Sequence, residues 1–137
     1  MRLATCATTH FGIGAWKANW LTFPRRGSPA GGGHGTTRDL IRCARALRQG
    51  KLVSETTMKK LFDGAVLAGP DRAYAAGIED RLAAGKHLRG HGGGAPGMNA
   101  MLAVVWESGA AVAVASNQDA QAAEELATHI ADQLAAQ

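Results

Sequence analysis

Apolar positions recur at helical spacing in three stretches of the chain. In "RDLIRCARALRQG" Leu40, Ile41, Ala44 and Leu47 form one stripe, and the remaining positions are mostly charged or polar. Thr36 or Thr37 can cap this helix, Asp39 lies in its first turn, and Gly50 stops it. A second, shorter helix follows in "ETTMKKLFDG", with Ser54 before it, Glu55 just inside it and Gly64 after it. The third, "DAQAAEELATHIADQLAA", has Asp119 as its expected cap and Ala123, Leu126, Ile130 and Leu134 on one face.

Between the second and third helices the period changes. "AYAAGIE" and "KHLRGH" read as short strands. "NAMLAVVW" and "AAVAVAS" are longer apolar runs joined by "ESG", a tight hairpin connection containing Gly109. Both runs are nearly all apolar, so both faces of these strands are expected to be covered. The order helix, helix, antiparallel strands, helix predicts an α+β fold. It has an antiparallel sheet of about 3–4 strands with helices packed on it, the C-terminal helix covering one face. Residues 1–24, including "FGIGAWKANWLTF", fit neither period.

Composition narrows the class. At 137 residues, 46% hydrophobic and 19% charged, the chain reads as one globular domain. No apolar run approaches a membrane span, so no membrane partner is expected. The opening "MRLATCATTHFGIGAW" lacks the apolar core of a secretory signal, and the sequence leaves the location unassigned. Cys6 and Cys43 are too few for a disulfide framework, and Cys43, inside a helical pattern, reads as a buried thiol. Charge is uneven: residues 1–60 hold 11 Lys/Arg against 2 Asp/Glu, and residues 61–137 hold 4 against 9, which together give the net +4.

The chemistry concentrates in two glycine-rich stretches. "RRGSPAGGGHGTT" precedes the first helix, and "RGHGGGAPGMNAML" precedes the apolar strands. With their flanks, "GSPAGGGHGTTRDLIRCARALRQGKLVSETTMKKL" and "GHGGGAPGMNAMLAVVWESGAAVAVASNQD" resemble, in order and spacing, two segments of the serine β-lactamase, D-alanyl-D-alanine carboxypeptidase and esterase family. The resemblance covers roughly residues 25–137 and corresponds to the C-terminal part of such a domain, a partial β-lactamase-like fold. It implies an antiparallel sheet with helices on both faces and a cleft for an acyl substrate: a β-lactam, a D-Ala peptide or an ester. Family members use a serine from S-x-x-K, a tyrosine from Y-x-N, and a third motif, K-T-G or H-x-G, on a strand facing the cleft. His91-Gly92-Gly93 stands in that third position. The histidine would offer a donor or a cation to a substrate carbonyl or carboxylate, and the bare glycines would let substrate backbone approach. The middle position of that motif often carries a hydroxyl, which Gly92 lacks. By the same resemblance Asn117 is a residue at the edge of the site. Substrate-binding expectations are therefore His91, Gly92, Gly93 and Asn117.

The departures are as informative. Ser28, Ser54, Ser108 and Ser116 are followed three residues on by Gly31, Thr57, Ala111 and Asp119, so S-x-x-K does not occur. The single tyrosine, Tyr74, precedes Ala75 and Ala76, so Y-x-N is missing too. No catalytic nucleophile is assigned in this chain, and it is expected to be inactive alone. It reads as one piece of a hydrolase whose N-terminal half would complete the site, with a homodimer through an exposed sheet face as a further expectation. No cofactor is expected. Full-length relatives are often periplasmic or secreted.

Other chemistries are weaker. His87 and His91 are four apart, a metal spacing on a helix, but Gly90 and Gly92 to Gly94 argue against a helix and no third ligand presents itself, so no metal is assigned. "GGGHGTT" resembles a phosphate cradle but lacks the lysine of a P-loop. Arg38, Arg42 and Arg45 share a helical face, with Lys51, Lys59 and Lys60 nearby. A solvated basic face is the commoner origin of such a pattern, and a small basic module binding nucleic acid or a protein is the alternative. His10, His34 and His129 carry no assigned role.

Overall fold

In the computed structural model the described residues are 5–7, 16–18, 27–29, 31–118 and 121–137. Asp119, His10 and Trp20 lie outside them. The N-terminal segment contributes a short antiparallel pair, β1 (Thr5–Ala7) and β2 (Trp16–Ala18).

The first helix, α1 (Thr37–Arg48), begins as expected. Thr36 accepts from the Asp39 N–H, and the Asp39 carboxylate accepts from the Thr36 N–H and hydroxyl, a complete capping box. The second, α2 (Glu55–Asp63), is capped by the Ser54 hydroxyl, which accepts from the Thr57 N–H. Cys43 corrects an expectation: it is exposed, because α1 turns the ridge containing Ala44 to the sheet and leaves the neighbouring position outward.

The main sheet has six antiparallel strands in sequence order. They are β3 (Val66–Leu67), β4 (Arg72–Ala75), β5 (Ile78–Ala83), β6 (Lys86–Ala95), β7 (Met98–Val105) and β8 (Ala111–Ser116). The count exceeds the expected 3–4 because "AYAAGIE" is a hairpin and not one strand, and because the two-residue β3 adds an edge strand beside β4. Ala76 and Gly77 both adopt positive φ, 49° and 85°, and so do Ala84 and Gly85, at 50° and 77°. Two consecutive left-handed residues make the tight turn whose twist suits a hairpin, and here the first is alanine instead of the usual Asn or Asp.

Register assigns the faces. Leu88, Ala103 and Val105 point to one side, where α3 (Ala122–Ala135) lies over them. Val104 and Ala111 point to the other, against Ile41 and Ala44 of α1. Both apolar strands are thus helix-covered on both faces, as their composition required. The expected face of α3 is wrong in detail. Ala123, Ala127, Ala131 and Ala135 make its buried ridge, and Leu126 is 52% exposed. Spacing of i, i+4 with small side chains lets the helix sit close to the sheet. No helix among the described residues is long and apolar enough to cross a membrane.

The start of α3 is capped from another element. Its cap position is Gln121, whose side chain makes no capping bond. Instead Asn99 Oδ1, on β7, accepts from the Ala123 and Glu124 N–H groups at 2.9 and 3.2 Å. Asn99 Nδ2 donates to the Gly93 carbonyl at 3.1 Å. One buried side chain, 3% exposed, therefore ties β6, β7 and α3 together.

Candidate functional site

Strand β7 stays paired with β6 to its C-terminal end, but β5 does not. β7 pairs with β6 from Leu88 to Ala95, whereas β5 pairs only with Lys86 to Gly90. From His91 to Ala95 one edge of β6 therefore has no strand beside it among the described residues. The Trp106 N–H donates to the His87 carbonyl, and alternation from that point turns the Gly92 and Gly94 peptide groups away from β7, toward the open edge.

Three of the four expected site residues lie on this segment. His91 is exposed, and its Nε2 is 3.1 Å from the Tyr74 hydroxyl on β4, the two rings meeting edge to face at 6.0 Å. Gly93 has open space where a side chain would be. Gly92 differs: a Cβ there would meet Met101 Sδ at 2.8 Å, with the Glu124 carboxyl carbon at 3.5 Å. A hydroxyl-bearing side chain at this position would need Met101 to move. Asn117 follows β8. Ser116 lies opposite Asn99 and Asn99 opposite Gly94, so Asn117 is at the same end of the sheet but two strands over. By strand spacing that is roughly 10 Å sideways from β6.

Gly90, just before the open segment, has a different reason to be glycine. A Cβ there would stand 1.9 Å from the Leu102 carbonyl oxygen on β7. No side chain fits that approach, so the strand leading to His91 is locked to glycine by its neighbour's backbone.

The other end of β6 is structural. Asp80, 8% exposed, accepts from His87 Nδ1 at 2.8 Å and from Arg89 Nε at 3.0 Å. The Arg89 guanidinium lies 3.7 Å from the centre of the Phe62 ring and 4.8 Å from that of Trp106, which fastens α2 to the sheet. Partial burial works against the charged Glu107 carboxylate. The bonds it accepts from the His87 N–H and its own N–H, with His87 and Arg89 nearby, outweigh this and leave its pKa below the ordinary value.

The competing chemistries find no support here. His87 and His91 are four strand residues apart, about 13 Å, too far to share a metal ion. Among the described residues no group of three His, Cys, Asp or Glu could hold one. The start of α1 is occupied by its own Asp39, which leaves a phosphate little to displace. In the basic face Arg42 pairs with Asp39 at 3.5 Å and Lys59, nearby, with Asp63 at 3.0 Å; Arg48, at the end of α1, donates to the Trp106 and Glu107 carbonyls at 2.8 and 2.9 Å.

The sequence reading missed the partners of the site: Tyr74, which looked only like a failed Y-x-N, and Asn99. Neither had a local signal, because each acts on residues brought close by strand register.

The family model described as Beta-lactamase matches residues 1–137. The chain belongs to the beta-lactamase family. Among solved structures it is similar to a penicillin binding protein from Bacillus halodurans, at 27% identity and TM-score 0.80, covering 94% of this chain and 39% of that one. A D-stereospecific amidohydrolase from Streptomyces sp. is 30% identical at TM-score 0.53, over 60% of this chain and 25% of that one. The fold is shared with a D-amino acid amidase from Ochrobactrum anthropi SV3 complexed with D-phenylalanine, at 23% identity and TM-score 0.59, over 77% of this chain and 36% of that one. The chain thus spans about two fifths or less of the length of these proteins. No curated protein matches it by sequence.

Proposed function

We propose that residues 25–137 form the C-terminal part of a β-lactamase-like serine hydrolase domain and supply one wall of its acyl-transfer cleft. The open edge of β6 from His91 to Ala95 carries this proposal, since substrate backbone can lie along it as an added strand. His91 would donate to a substrate carbonyl or carboxylate at the head of that edge, Gly93 leaves room for close approach, and Asn117 borders the far side. The substrate class is an acyl compound with a D-configured or β-lactam skeleton. The penicillin binding protein and the D-stereospecific amidohydrolase among the similar structures support that choice. The nucleophile is not part of this wall, because no serine here has a lysine three residues on. The proposal includes a homodimer through the exposed sheet face, where register puts Leu67 and Leu82 on one side, 85% and 58% exposed.

The test is twofold. N-acetyl-D-alanine titrated into the labelled chain should shift the amide resonances of His91 to Gly94, and incubation with benzylpenicillin or a fluorophosphonate should leave the intact mass unchanged. Silence at His91 to Gly94, or a stoichiometric adduct on any of the four serines, would refute the assignment.

A further inference from the structure

We infer that Tyr74 is a positioning residue for His91, holding the neutral imidazole as the Nδ1–H tautomer so that Nδ1 is the donor offered to a ligand. This rests on the cleft-wall reading of β6. Tyr74 is the only tyrosine in the chain, and its hydroxyl stands 3.1 Å from His91 Nε2. Either atom could donate. A phenol oxygen is a poor acceptor because its lone pair is shared with the ring, whereas the bare nitrogen of a neutral imidazole is a good one. The favoured arrangement is therefore O–H to Nε2, which places the ring proton on Nδ1. Among the described residues Nδ1 has no hydrogen-bond partner, so its proton remains available to a ligand.

Geometry supports a dedicated contact. The edge-to-face approach at 6.0 Å restricts the imidazole as well as bonding it. Tyr74 reaches His91 from β4 across β5, and it can do so because β5 stops pairing at Gly90. The end of β5 thus both opens the edge of β6 and lets the phenol in. A site built this way presents a singly oriented ring N–H, suited to a carbonyl or carboxylate oxygen, in place of the rotating ammonium that a lysine would bring.

The experiment is a long-range proton–nitrogen correlation spectrum of the 15N-labelled chain at pH about 8.5, above the ordinary histidine range. The expected result is a pyrrole-type Nδ1 and a pyridine-type Nε2 for His91. In Tyr74→Phe the two nitrogens should exchange character, toward the Nε2–H form that unconstrained imidazoles favour, with the amide spectrum of β5 to β8 retained. An Nε2–H tautomer in the unaltered protein would overturn the proposal. So would a His91 spectrum unmoved by Tyr74→Phe. The first measurement needs no variant, so it decides even where the variant fails to fold. Adding N-acetyl-D-alanine separates the two ideas. A locked Nδ1–H tautomer that does not respond to the probe would leave the positioning role intact and count against the cleft wall.

Discussion

Replacing Asn99 by alanine should remove about 3 kcal/mol of stability, most of it through hydrogen bonds to neighbouring elements. Its Oδ1 satisfies two N–H groups at the start of α3, and its Nδ2 satisfies the Gly93 carbonyl. Loss of a helix cap alone costs about 1 kcal/mol. Leaving a buried donor or acceptor without a partner costs about 1–3 kcal/mol for each group. Ala123 is 1% exposed, so water cannot readily replace the lost bond to its N–H, and that group takes the larger share. The Glu124 N–H and the Gly93 carbonyl lie nearer solvent and add less. The total is a large fraction of the roughly 5–15 kcal/mol that holds a typical domain. Urea unfolding should show a lower midpoint with an unchanged slope. Asn99→Asp discriminates among causes. It keeps an oxygen to accept from both N–H groups and adds a charge favoured at a helix N-terminus, but sets a carboxylate oxygen against the Gly93 carbonyl. It should lose about 1–2 kcal/mol at neutral pH. A loss below about 1 kcal/mol for the alanine variant would refute the accounting. Equal losses for the two variants would refute the capping role.

Gly90→Ala should prevent β6 and β7 from pairing as they do, since its Cβ would sit 1.9 Å from the Leu102 oxygen, whereas Gly93→Ala should fold normally; soluble yield and cooperative unfolding compare them. Arg48→Met should cost about 1–2 kcal/mol by releasing the two carbonyls of the β7–β8 turn, read from chemical denaturation. Asp39 and Glu107 both have depressed pKa values, so each binds its proton more readily in the unfolded chain. For Asp39 the Thr36 bonds are the leading cause. For Glu107 the accepted N–H bonds outweigh partial burial. Their contribution should be complete above the ordinary carboxylate range and fade below about pH 4, with Asp39→Asn and Glu107→Gln each flattening that acid slope in thermal melts. Duplex DNA should bind weakly and lose affinity steeply with salt, and tight sequence-selective binding in a mobility-shift assay at physiological salt would restore the basic-module alternative.

Much of the fold was legible because its signals are local. Thr36 with Asp39, Ser54 before Glu55, Gly50 and Gly64 each act within a few residues, and the helices begin and end where they point. The apolar runs of β7 and β8 foretold cover on two faces. The hairpins at Ala76-Gly77 and Ala84-Gly85 were not legible, since alanine is a poor left-handed residue and nothing nearby marks the turn. The face of α3 was read in part: Ala123 is buried and Leu134 packs on the core, but Leu126 is exposed and Ala127, Ala131 and Ala135 complete the ridge, where close packing selected alanine. In the site, His91 and its glycines stood out by composition. Tyr74 and Asn99 did not, because their roles depend on a register that no window of sequence contains.

The alanine ridge of α3 has a mechanical consequence. Ala123, Ala127, Ala131 and Ala135 have no rotamers to change, so docking the helix costs no side-chain entropy at these positions. For the same reason the seam cannot absorb a displacement by rearranging side chains. Two hydrogen bonds from its first turn to Asn99 tie α3 to β7 as well. A spin label at exposed Leu126 therefore reports the position of β7, and through it the edge on which His91 stands.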